Sequence, residues 1–200
     1  MKKSKLAKVL TVSLAALMVF GLASCGGGSG KVSDKDITVI SREEGSGTRD
    51  AFTELTGVLQ DDVDKTVDTA EISNSTSVVT QSVAGNDAAI GYISLGSLDD
   101  TVKAVKVDGV EATVDNIKSG DYKIQRPFNI VTKGEVKELP ADFIKFIMSK
   151  DGQKIIEDEG YISVNDNAGA YKASGLKGSI TLAGSTSVSP VMEVLADKYK

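Results

Sequence analysis

Two Gly/Ser/Thr turns, each set between a short apolar run and a helical pattern, constrain this chain most. The first is Arg42-Glu43-Glu44-Gly45-Ser46-Gly47-Thr48-Arg49, between Ile37–Ile40 and Ala51–Leu55. The second is Ala183-Gly184-Ser185-Thr186-Ser187-Val188-Ser189-Pro190, between Gly178–Leu182 and a run placing Val191, Met192, Val194, Leu195 and Tyr199 on one helical face. Strand–turn–helix units of this kind place both turns at carboxyl ends of strands, where open α/β sheets bind ligands. Ser46, Gly47 and Thr48 fall at a helix start, whose backbone N–H groups lack intrahelical partners and face the positive end of the dipole. Two hydroxyls add donors, and Arg42 adds a planar fork matched to two oxygens of a tetrahedral oxyanion. Ser and Thr are also ordinary helix caps, so Arg42 is what lifts the segment above capping.

The intervening chain alternates helical and strand patterns. Strands are expected at Ile37–Ile40, Ala88–Ile93, Val102–Val107, Arg126–Thr132 and Gly178–Leu182. Helices are expected over Arg49–Leu55, Asn74–Ala84, Val114–Ser119, Pro140–Met148 and Asp151–Glu157. Asp108-Gly109 reads as a tight hairpin turn, and the acidic stretch Asp61–Asp68 as surface. The fold class is therefore α/β, a mixed sheet flanked by helices.

Residues 1–24 read as a signal peptide. Lys2, Lys3, Lys5 and Lys8 precede the apolar run Leu10–Leu22, and Leu22-Ala23-Ser24 precedes Cys25. Leu-Ala-Ser-Cys resembles the bacterial lipobox, which implies cleavage before Cys25 and a lipid on its thiol and new amine. Cys25 is the only cysteine, so no internal disulfide can form. Residues 25–36 are rich in Gly, Ser and Lys, a flexible tether. Loss of the four signal lysines takes the formal charge from −5 to −9. So acidic a body argues against nucleic acid as a partner, but not against an anion held by local dipoles and one arginine.

Much chemistry is excluded. There is no histidine, so Ser–His catalysis is out and the usual zinc sites have no ligand set. Gly45-Ser46-Gly47 is not a nucleophile elbow, and no P-loop is present. No metal or cofactor is called for. The chain reads as a binder, not an enzyme.

The segments Ser41–Phe52, Ala88–Ser94, Arg126–Thr132, Phe143–Ile156, Gly160–Val164 and Ala183–Pro190 together resemble the phosphate-binding lipoproteins of the bacterial high-affinity phosphate ABC transporter. The resemblance implies a two-lobed, type II periplasmic-binding-protein fold holding inorganic phosphate in its cleft. It implies delivery to permease subunits from a lipid anchor on the outer face of the cytoplasmic membrane. By resemblance, Arg42 is the phosphate-clamping arginine, Ser46, Gly47 and Thr48 are helix-start donors, and Glu44 orients the arginine. Thr186 and Ser187 belong to the first turn of the other lobe. The family order is inverted here, because its opening turn comes last. A circular permutation, a tandem array or a clipped piece of either would produce that order. Residues 37–177 would then form one lobe with its return segment, and 178–200 the start of an incomplete second lobe or repeat. The expectation is that the chain by itself binds phosphate weakly or not at all. Two alternatives stay open, namely another tetrahedral oxyanion such as sulfate, and a sensor or surface lipoprotein built on the same lobe.

Overall fold

The structure is a computed structural model and describes residues 36–199. The signal peptide, Cys25 and the tether as far as Lys35 lie outside the described residues. Strand β1 (Thr38–Arg42) is the centre of a three-stranded parallel sheet, between β4 (Glu71–Ser73) and β5 (Ala89–Ile90). It pairs with β4 through Ile40↔Glu71 and Arg42↔Ser73, and with β5 through Thr38↔Ala89. The chain leaves β1 for β4 on one side and returns to β5 on the other, so the strand order reverses about β1. That reversal is where open α/β sheets form a ligand crevice.

Helix α1 (Gly47–Thr56) follows β1 and stops at Gly57, whose φ of +72° is the left-handed C-cap conformation. A separate antiparallel pair comes next, β2 (Leu59–Gln60) with β3 (Val63–Asp64). Its turn residues Asp61 and Asp62 both have positive φ, as a type I′ hairpin turn requires and as Asp tolerates. The acidic run is thus a hairpin tip. Helix α2 (Thr76–Ala84) is capped by Ser75 and lays Val79 on Ile40. Gly91 makes that approach possible, since a Cβ there would lie 2.8 Å from Val79 Cγ1.

The second half is helical. It contains α3 (Val114–Lys118), α4 (Glu138–Ile147), α5 (Lys150–Asp158) and α6 (Ser189–Tyr199). Phe143, Phe146 and Ile147 of α4 form one core with Tyr161 and with Val191 and Leu195 of α6. Of the stripe expected on the last helix, Val191 and Leu195 are buried, and Met192, Val194 and Tyr199 are half-buried.

Three expected strands do not form ladders among the described residues. Val102–Val107 contributes only the isolated Val107↔Val110 bridge across Asp108-Gly109. Arg126–Thr132 and Gly178–Leu182 carry no ladder, and Val131 is 88% exposed. Alternation specifies a half-buried strand only where a neighbour supplies a ladder of hydrogen bonds, and these segments have no such ladder here.

Asp142 ties the helical half together. Its Oδ2 accepts from Tyr171 Oη (2.5 Å), Ser174 Oγ (2.8 Å) and Tyr199 Oη (2.8 Å), joining α4 to the return loop and to α6. Those hydroxyls hold its carboxyl below the usual carboxylate range. A folded-state value below the unfolded one stabilises the fold at neutral pH, and that stabilisation is lost as pH falls through the folded value. Asp142→Asn is expected to lower the melting temperature at pH 7 and to flatten its fall on acidification, measured by circular dichroism melts from pH 7 to pH 3.

Candidate functional site

Arg42 is the last residue of β1, and its side chain is almost wholly buried at 2% exposure. A buried guanidinium needs its donors met. Nε and Nη2 form a side-on fork to Glu43 Oε2 (2.8 Å) and Oε1 (2.9 Å), and Nε also donates to Ser73 O (3.2 Å). Nη1 donates to Thr76 Oγ1 (3.4 Å). The backbone N–H of Arg42, beyond the short β5 ladder, donates to Tyr92 Oη (3.0 Å). Tyr92 also meets Ser41 Oγ (2.8 Å) and stacks on Phe52 of α1 at 4.2 Å.

The acid that orients Arg42 is therefore Glu43, not Glu44. Glu43 O accepts from Ser46 N (3.2 Å), with Gly45 at φ +78°, which is the third position of a type II turn. Glu44 occupies the exposed second corner of that turn. Arg42 holds the Glu43 carboxyl below its usual range, chiefly by hydrogen bonding.

Three helix starts converge beside Arg42. Ser46 caps α1 by accepting from Arg49 N, and Gly47 and Thr48 are the first residues of that helix. Thr48 Oγ1 lies 2.6 Å from Ser187 Oγ in the turn leading into α6. Thr76, first in α2, donates its N–H to Thr186 Oγ1 (3.3 Å). Its hydroxyl stands 3.2 Å from Thr186 Oγ1 and 3.3 Å from Ser187 Oγ. Ser187 is fully buried, and its carbonyl accepts from Tyr161 Oη (2.7 Å) and Ser94 Oγ (3.3 Å). The two turns, 139 residues apart at Thr48 and Ser187, thus share one hydroxyl cluster with Arg42 at its edge. Each hydroxyl can donate or accept, and each helix start adds positive potential. Such a site suits an oxyanion.

Sequence reasoning placed Arg42, Gly47, Thr48, Thr186 and Ser187 here, and Ser46 beside them as a cap. It missed Thr76, although Ser73-Asn74-Ser75-Thr76 repeats the strand–Ser/Thr turn–helix pattern of the first turn. It also missed Arg126, whose Nη2 donates to the Gly47 carbonyl. Arg49 points elsewhere, bonding Asp64 Oδ2 (2.8 Å) and Arg42 O (2.8 Å), so it anchors the β2–β3 hairpin.

A family profile described as a PBP superfamily domain matches residues 28–151. A curated relative, "Phosphate-binding protein PstS 2" of Streptococcus agalactiae serotype V, is 52% identical over 206 residues, covering 100% of this chain and 69% of that one. The chain belongs to the PstS family of phosphate-binding proteins, within the PBP superfamily. That match runs through the whole chain, so the order in which the Arg42 turn precedes the Ala183–Pro190 turn is shared with that relative. A crystal structure of a phosphate ABC transporter phosphate-binding protein from Streptococcus pneumoniae superposes with a TM-score of 0.68 at 50% identity, over 82% of this chain and 66% of that one. A putative phosphate ABC transporter substrate-binding protein with bound phosphate from Clostridium perfringens gives 0.60 at 46% identity, over 64% and 52%. The chain thus spans about two thirds of the length of its streptococcal relatives and half that of the clostridial one.

The assignment of the orienting acid separates two variants. Glu43→Gln is expected to destabilise the protein at pH 7 by about 1 kcal/mol, since Glu43 is partly in water but its partner is buried. Glu44→Gln is expected to lie within about 0.5 kcal/mol of the unsubstituted protein. Urea unfolding of both measures the difference.

Proposed function

We propose that this chain captures inorganic phosphate as the solute-binding component of an ABC transporter. It is a binding protein and not an enzyme. The observation that carries the reading is the convergence of three helix starts on the Nη1 side of a buried arginine, away from Glu43. Hydroxyls of Thr48, Ser187, Thr76 and Thr186 form a chain there, with successive separations of 2.6, 3.3 and 3.2 Å. Arg42 is the clamp, Gly47 and Thr48 donate from α1, and Thr186 and Ser187 donate from the turn before α6. Ser46 supports them as the α1 cap, and Glu43 holds the arginine in register. The likeness to relatives named as phosphate-binding proteins, and to a structure described with bound phosphate, supports phosphate over other oxyanions.

The same reading assigns residues 1–24 to a signal peptide, 25–36 to a tether, 37–177 to one lobe with its return segment, and 178–200 to the start of the other. A lipid on Cys25 would hold the protein on the outer face of the cytoplasmic membrane, where a closed, loaded cleft could dock on permease subunits. Hinge closure around the solute is the usual motion of such proteins. Thr186 and Ser187 stand beside Arg42, so the weak or absent binding expected from the sequence is revised here, and phosphate binding by the chain is expected to be measurable.

Calorimetric titration tests the assignment. Phosphate is expected to bind, and Arg42→Ala to weaken it about tenfold or more, the size of a lost charge-assisted hydrogen bond. Absence of phosphate binding, or an unchanged Arg42→Ala variant, would sink the reading. The anchor has its own test. Cys25→Ser is expected to move the expressed protein from the membrane pellet to the soluble fraction, and retention in the pellet would count against the lipid.

A further inference from the structure

We infer that Arg126 is the residue that captures the incoming anion, exchanging the Gly47 carbonyl for an anion oxygen as the site fills. The inference rests on the reading of this site as a phosphate site. Three arginines stand around the start of α1, and two are neutralised. Arg42 uses Nε and Nη2 on the Glu43 carboxylate, and Arg49 is bridged to Asp64 at 2.8 Å. Arg126 bonds a carbonyl instead. A guanidinium–carbonyl bond is weaker than the charge-assisted bond the same group makes to an anionic oxygen, so an arriving oxyanion is the better partner.

The placement is specific. Gly47 lies between the capping Ser46 and Thr48, whose hydroxyl is in the cluster. A Cβ on Gly47 would sit 3.4 Å from Arg126 Nη2, so the guanidinium lies over the face of α1 that a side chain would occupy. Pro127 restricts Arg126 to extended backbone. Phe128 then sets its ring edge-on to Tyr161 at 6.2 Å, and Tyr161 Oη holds the Ser187 carbonyl at 2.7 Å. Arg126-Pro127-Phe128 therefore forms a strap, meeting the first residue of α1 through Arg126 and the partner of the Ser187 carbonyl, Tyr161, through Phe128. Arg126 is exposed, so its side chain can reorient on the fast timescale of surface rotamers.

Charge makes such a residue useful. A chain of formal charge −9 without its signal repels a phosphate dianion at long range, and the exposed Arg126 guanidinium beside the start of α1 offsets this locally.

The test is calorimetric titration with inorganic phosphate at low and high sodium chloride, using the unsubstituted protein, Arg126→Gln and Arg126→Lys. Melting curves check that each is folded. Arg126→Gln is expected to weaken binding about tenfold at low salt, with the gap narrowing at high salt, and Arg126→Lys to retain most of the affinity. Equal affinity for Arg126→Gln and the unsubstituted protein at low salt overturns the inference. So does an equal, salt-independent loss in both variants, which would mark a structural role. No phosphate binding by the unsubstituted protein overturns the phosphate reading, and this inference with it.

Discussion

A guanidinium held almost out of water at the end of the central strand sets the terms for everything around it. Burying Arg42 is costly unless its donors are met, and each group that meets one belongs to a different element. Glu43 comes from the turn after β1, the Ser73 carbonyl from the end of β4, and Thr76 from the first turn of α2. Tyr92, beyond β5, secures the strand end itself. The three parallel strands are thus locked in register at the end where the helices begin. Two N–H directions of the guanidinium are held by Glu43, which leaves its far edge turned toward the hydroxyls.

The second organising element is the turn at Ser185–Ser187. Its backbone is held by Tyr161 and Ser94, and its side chains by Thr48 and Thr76. The helical half, built on α4, α5 and α6, meets the sheet half at this turn through hydrogen bonds, beside which the Tyr161 ring packs on Gly96. The apolar cores lie on either side of the turn, around Val79 and Ile40 in one half and around Phe143, Phe146 and Leu195 in the other.

Helices were more legible than strands. The runs around Thr76–Ala84, Glu138–Ile147 and Lys150–Asp158 carry their own hydrogen bonds, so local pattern and capping residues suffice to place them. Arg126–Thr132 and Gly178–Leu182 alternate well enough to read as strands, yet no neighbour pairs with them. The hairpin at Leu59–Asp64 was hidden for the opposite reason, because its acidic turn residues look like plain surface until their positive φ is seen. Within the site, Arg42 and Thr48 stood out because they sit in a dense motif. Thr76 did not, since the same strand–turn–helix signature around it lacks an arginine.

The sequence by itself determined the α/β class, the anion-suited starts of α1 and of the last helix, and the arginine that belongs with them. These are local properties, written in residue types and spacing over a dozen positions. Only the tertiary structure decided that Glu43 rather than Glu44 pairs with Arg42, because that depends on which corner of a tight turn faces the strand end. It alone decided that Thr76, Arg126 and Ser187 come to the first turn, since residues 34, 79 and 139 positions away from their partners there are brought together only by packing.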